Sequence, residues 1–275
     1  MSKEKNNNKI NISKITNPEE LIDIGINYGV QGLFEEAIRC FEKALELEPE
    51  NFKAWCNIGL ANNFLGNEDA AIRAYQRSMD IAPEYTITLN NFASLYFDMG
   101  DFKKALELWE RVIKIEPEDA KALANIGLIQ YFKKEFDAAL LTCQRAFELE
   151  PALTEALNTI GAIYLEKKDY TRAIEIAKKI LEIKPQDVVV ISNMGIAYEK
   201  MKKFEEAIKA HEYAIKLDPS YFHAYNNLGW TYHQMGDLQK AIEYYERCLE
   251  IEPKFNLAII NLKNAKEELE KSNIN

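Results

Sequence analysis

Pro49, Pro83, Pro117, Pro151, Pro185, Pro219 and Pro253 stand 34 residues apart without a slip, each after an apolar and acidic run such as EKALELE or EYAIKLD. A proline ring clashes with the preceding helical turn and has no N–H to donate, so each one marks where a helix has just ended. A fixed period of this length signals stacked repeats, which bury their core only between neighbours. Length alone, 275 residues, would suggest about two compact domains. The period predicts instead one elongated array with no separate globular module.

Placing these prolines at position 32 of the repeat starts the first repeat at Pro18, and seven repeats run without insertion to Phe255. Position 20 is always Ala (Ala37, Ala71, Ala105, Ala139, Ala173, Ala207, Ala241), and position 8 is Gly25, Gly59, Gly127, Gly161, Gly195 and Gly229, with Ala93 in the third repeat. Small residues at fixed positions let helices approach closely. Gly32, Gly66, Gly100 and Gly236 fall at position 15, between two predicted helices. Large apolar residues at positions 4 and 7 give a first helix, A, its buried stripe. A second helix, B, carries Phe41, Tyr75, Trp109, Cys143, Ala177, His211 and Tyr245 at position 24. Each repeat is therefore predicted to be a helical hairpin.

This pattern resembles the tetratricopeptide repeat, whose W/L, G, Y, A, F/Y, A and P fall at positions 4, 8, 11, 20, 24, 27 and 32. The resemblance covers residues 18–255 and implies an all-α fold, a right-handed superhelical α-α solenoid. Asn62 and Gln130 depart from it at position 11, Cys143, Ala177 and His211 at 24, and Ser78, Val112, Ile180 and Cys248 at 27. These departures bear on local packing rather than on the fold. After the last repeat, residues 256–271 keep Ile259, Leu262, Ala265 and Leu269 at helical spacing and read as a capping helix, followed by a short tail, 272–275. Residues 1–17, rich in Asn and Lys, are expected to form a disordered polar tail.

The resemblance also implies that positions 2, 5, 6, 9, 12 and 13 of the A helices line a concave groove. Position 6 is Asn57, Asn91, Asn125, Asn193 and Asn227, continued by Asn261 in the capping helix and interrupted by Thr159; Asn90, Asn158 and Asn226 add a partial row at position 5. An Asn amide offers both an acceptor and donors, so the row suits the backbone of an extended peptide. Local bonds to the chain's own backbone are the alternative use of the same side chains. Trp230 with Asn226, Asn227 and His233 forms one candidate pocket, with cover by the capping helix as the competing reading. Phe97 with Asn90, Asn91 and Ser94, extended by Tyr131, forms another, against which stands packing on a neighbouring repeat. Lys53, Lys121 and Lys200 share the groove with Glu19, Asp23, Asp98, Glu155, Glu166 and Glu199, so a neutral or mildly basic segment is the better ligand. No repeat has Lys at position 5 or Arg at position 6, which argues against the cochaperone clamp for acidic chaperone tails.

Other function classes fare worse. A net charge of −10 and the absence of a basic stripe argue against nucleic acid. Apolar runs far short of about 20 residues argue against membrane insertion, and the chain reads as cytoplasmic. Cys40, Cys56, Cys143 and Cys248 lack metal-ligand spacing and read as reduced core thiols. His211, on helix B, reads as a satisfied buried histidine, and no catalytic motif occurs. The expected function is thus a non-enzymatic interaction adaptor holding an extended peptide, with no cofactor and no metal. An assembly scaffold or homo-oligomer is the alternative; a signal-peptide receptor ranks below both, because residues 1–17 leave little room for an effector module. Nothing in the repeat pattern fixes an oligomeric state.

Overall fold

A computed structural model describes residues 12–274, with the side chains of 273 and 274 excepted. Every regular element among them is helical. Hairpins one to three are α1 (Pro18–Val30) with α2 (Phe34–Leu47), α3 (Phe52–Phe64) with α4 (Glu68–Ile81), and α5 (Thr86–Asp98) with α6 (Phe102–Ile115). Hairpins four to seven are α7 (Ala120–Phe132) with α8 (Phe136–Leu149), α9 (Thr154–Glu166) with α10 (Tyr170–Ile183), α11 (Val188–Lys200) with α12 (Phe204–Leu217), and α13 (Phe222–Gln234) with α14 (Leu238–Ile251). A terminal helix, α15 (Asn256–Ile274), packs on α14 and α13. The chain divides into two compact units between Ile126 and Gly127, inside α7.

The prolines act as the period predicts. Each B helix stops two residues before its proline, and the intervening residue is pushed out of helical geometry, as at Glu48 (φ −139°, ψ 86°) and Glu116 (φ −124°, ψ 85°). Short polar side chains then open the next helix: Asn51 accepts from the Ala54 N–H at 3.0 Å, and Asp187 from the Val190 N–H at 3.1 Å. Inside each hairpin the chain turns through a left-handed residue at position 15. Gly32, Gly66, Gly100 and Gly236 supply it where Gly is present, while Lys134, Lys168 and Lys202 adopt it with φ of 62°, 58° and 59°.

The core follows the repeat positions. Position-20 alanines are 0–1% exposed in six repeats, whereas Ala173 is 6% exposed. Position-24 rings press on position-8 glycines: a methyl group at Gly25, Gly59, Gly195 or Gly229 would lie 2.4, 2.6, 2.6 or 2.8 Å from the ring of Phe41, Tyr75, His211 or Tyr245. At these four positions glycine makes room for the ring, whereas in the third repeat Ala93 stands opposite the buried Trp109. Ser78, at position 27, donates to the Phe52 carbonyl at 2.8 Å and lies 2.7 Å from the Thr88 hydroxyl, so its departure from Ala is absorbed as a buried bond.

Both ends add detail to the sequence pattern. Of the polar stretch 1–17, residues 1–11 lie outside the described residues. Ile12–Lys14 forms a single 3-10 turn, and Ile12 and Ile15 pack on the cluster of Leu21, Ile22, Phe41 and Ala54. Two apolar side chains thus seat the end of that stretch on the first hairpin. On α15 the buried residues are Ala258, Asn261 and Ala265, with Leu262 and Leu269 half-buried; Ile259 is 44% exposed and does not belong to the buried stripe. The four cysteines are buried free thiols, and burial pushes Cys143 and Cys248 up to about 11.

Candidate functional site

Of the six asparagines Asn57, Asn91, Asn125, Asn193, Asn227 and Asn261, three bond to the preceding repeat. Nδ2 of Asn91, Asn227 and Asn261 reaches the residue 35 earlier in each case: Cys56 Sγ at 3.9 Å, Ser192 Oγ at 3.2 Å and Asn226 Oδ1 at 3.1 Å. That partner is always position 5 of the neighbouring A helix. In the second repeat the corresponding residue is Ile22, which offers no acceptor, and Asn57 turns back to the Lys53 carbonyl at 2.9 Å. Asn90 donates to Asp119 at 2.9 Å. Asn226 also approaches Asn227 Oδ1 at 3.4 Å and is only 3% exposed.

These placements divide the row into asparagines bonded within the chain and asparagines left open. Asn226, Asn227 and Asn261 are bonded to each other and to Ser192, so their amides tie α11, α13 and α15 together. Asn125, Asn158 and Asn193 make no side-chain hydrogen bond among the described residues, and Asn158 and Asn193 face solvent. Asn125 is half-buried.

The aromatic candidates are also partly used. Trp230 donates to Glu199 Oε1 at 3.2 Å and packs on the cluster of Ala241, Ile242, Tyr245 and Ala265. His233 Nε2 lies 3.1 Å from Glu268 on α15, so the terminal helix covers this candidate. Phe97 packs within its own hairpin at tilted angles, 5.2 Å from Phe102 and 5.9 Å from Trp109 between ring centres. Tyr131 sits 5.6 Å from Phe132 and 6.0 Å from Phe136, and burial raises its hydroxyl above the usual value. His211 is buried but only half satisfied: Nδ1 is 3.4 Å from Ser192 Oγ, while Nε2 has no partner.

Two openings on the A-helix face remain. In the first unit an apolar cavity of about 290 Å³ lies among Ile26, Val30, Phe34, Leu60 and Phe64. Val30 is 83% and Phe64 64% exposed, and Phe64 stacks on Phe34 at 4.9 Å. In the second unit a cavity of about 400 Å³ lies between the fifth and sixth hairpins, floored by Ala173, Ala177 and Ile180, with Asn158 and Asn193 in its wall. The sequence signal for the first is apolar residues at groove positions 9 and 13 of the first two repeats. For the second it is Ala177 where other repeats place a larger side chain.

Among the described residues no group of three His, Cys, Asp or Glu side chains is arranged to hold a metal ion, and no helix is long and apolar enough to cross a membrane.

Comparison with known families agrees with the repeat register. Tetratricopeptide repeat descriptions match residues 22–86, 120–153, 154–187 and 223–255, and the TPR repeat description matches 93–134 and 200–236. A tetratricopeptide repeat protein from Parabacteroides merdae superposes with a TM-score of 0.69 at 19% identity, over 90% of this chain and 98% of that one. PilF of Pseudomonas aeruginosa gives 0.67 at 18% identity, over 80% and 98%. YrrB, described as a TPR protein with an unusual peptide-binding site, gives 0.55 at 19% identity, over 69% and 98%. Among curated proteins none matches in sequence.

Proposed function

Because the chain belongs to the tetratricopeptide repeat family, a fold of protein-interaction adaptors and scaffolds, we propose that it is a non-enzymatic adaptor holding a segment of a partner protein on the exposed face of its A helices. One observation carries this reading: groove positions hold apolar side chains that stay largely exposed and amides that the chain itself does not use. Val30, Phe64, Asn158 and Asn193 are exposed, and neither amide has an internal partner. Contiguous apolar exposure of this kind marks interaction surfaces. The unusual peptide-binding site of YrrB supports such a use of the fold. Asp23 on α1 in the first unit and Glu155 on α9 in the second are each solvent-exposed without an ion pair, which favours a neutral or mildly basic segment.

The test is capture of partners from native extract by the wild-type chain beside two variants, Val30→Ser/Phe64→Ser and Asn158→Ala/Asn193→Ala. Loss of the same partners by either variant, at unchanged melting temperature, supports the adaptor. Identical capture by all three chains refutes it.

A second reading, assembly with further copies, has its own observation: Leu257, Ile259 and Ile260 on α15 are 51%, 44% and 56% exposed. Sedimentation at rising concentration separates the two. A constant monomer mass removes the assembly reading.

A further inference from the structure

We propose that the cavity at Ala177 is a socket for an aromatic side chain, phenylalanine by preference, presented by a partner polypeptide. The proposal rests on the adaptor reading above and specifies the chemistry of one of its sites.

The other repeats define what fits. At Gly25, Gly59, Gly195 and Gly229 an added methyl group would strike a position-24 ring at less than 3 Å, so the glycine makes room for that ring. Gly127 meets Cys143 Sγ in the same way, at 2.3 Å. Gly161 differs from all of these, because the nearest atom to its added methyl is Ile176 Cγ2 at 3.4 Å. Its position-24 partner is Ala177, which has only a methyl group. The fifth repeat thus keeps the glycine that admits a ring but lacks the ring, and a cavity of about 400 Å³ results. That volume falls within the ~300–1,000 Å³ of small-molecule sites.

Chemistry at the two ends of the cavity sets the ligand. Ala173, Ala177 and Ile180, all at most 8% exposed, form an apolar floor, against which a phenylalanine ring is buried without cost while a tyrosine hydroxyl would be desolvated. Asp187, also in the lining, accepts from the Val190 N–H through Oδ1. Asn158 and Asn193, exposed and unbonded, stand where the backbone beside such a ring would lie, and each offers a donor and an acceptor to it. Residues 1–11 contain no aromatic side chain, so that segment does not supply the ring.

The experiment is an NMR titration of the full chain with N-acetyl-phenylalaninamide, N-acetyl-tyrosinamide and N-acetyl-leucinamide, read at the amides of Gly161, Ala162 and Ala197. Saturable shifts are expected with the phenylalanine probe, with at least fivefold weaker binding of the other two. Ala177→Phe, which returns a ring from within the chain, is expected to abolish the shifts while melting no lower than wild type; Gly161→Leu fills the space from the opposite wall if Ala177→Phe does not fold. Absence of saturation, shifts that survive both variants, or equal binding of the leucine probe overturns the socket.

Selection of random dodecapeptides on the wild-type chain separates this proposal from the adaptor reading. Enriched peptides with one phenylalanine, lost on Ala177→Phe, support both. Enriched peptides without aromatic preference, unaffected by Ala177→Phe, overturn the socket and leave the adaptor intact. Saturation by the probe with no enriched peptide overturns the assignment to a partner polypeptide, leaving a site for a free aromatic molecule. A dimer that Ala177→Phe dissociates places the ring in a second copy and overturns the assignment to a partner.

Discussion

Gly195 and His211 are packed so closely that a methyl group on Gly195 would lie 2.6 Å from the imidazole Cε1, whereas one on Gly161 would meet only Ile176 at 3.4 Å. The same substitution should therefore have opposite signs at the two sites. Gly195→Ala is expected to destabilise by about 1–3 kcal/mol through overpacking. Gly161→Ala is expected to stabilise by up to about 1 kcal/mol, since alanine favours the helix and nothing opposes its methyl. Urea unfolding of the two variants checks this, and shifts of one sign would contradict it.

His211 should make stability pH-dependent. Burial pushes its imidazole down from 6.5 to about 4. Between those values the unfolded chain binds a proton that the folded chain does not, so the stabilisation present above about 6.5 is lost as pH falls toward about 4. The loss amounts to about 3 kcal/mol. His211→Phe retains a ring over Gly195 and removes the titration, so wild type should fall progressively behind the variant as the solution is acidified through that window. Parallel stability curves would show that His211 does not titrate there.

The asparagine row should split into two classes. Asn261→Ala removes the donor to Asn226 Oδ1, and because Asn226 is 3% exposed the orphaned acceptor is expected to cost about 1–3 kcal/mol. Asn193→Ala removes an exposed side chain with no bond and should change stability by less than about 0.5 kcal/mol. Thermal melts of both variants at neutral pH provide the comparison. Equal losses would mean that the internal bonds do not distinguish the two residues.

Lys168 occupies a left-handed turn with φ of 58°, a position that four other repeats give to glycine. Holding a side chain in that region costs roughly 1–2 kcal/mol, partly offset by the greater entropy of glycine in the unfolded chain. Lys168→Gly is expected to raise stability by about 0.5–1 kcal/mol, and Gly66→Lys to lower it. Chemical denaturation decides, with a lower midpoint for Lys168→Gly as the contrary result.

The hairpins were legible because their determinants are local and recur: proline ends helix B, alanine at position 20 admits a neighbour, and glycine at position 8 admits a ring. The fates of the asparagines were not, because a bond from Asn227 to Ser192 depends on the offset between neighbouring A helices. The repeat period is 34 residues and the bonding interval is 35, a difference set by packing geometry rather than by sequence spacing. Ile259 illustrates the same limit, since helical spacing places it near the stripe but the packing of α15 on α14 buries Ala258 and Asn261 instead. The opening at Ala177 had a one-residue signal, visible only when position 24 is compared with position 8 across all repeats.

That vacancy also has a mechanical meaning. Truncating a buried ring to alanine typically removes about 3–5 kcal/mol of packing, and in a stack where each hairpin touches only its neighbours the deficit stays at one joint. Within the second unit, the joint beside α9, α10 and α11 is therefore the seam at which tension or heat should part the chain first. A ring lodged there from outside would close the seam, so occupancy and tensile strength rise together.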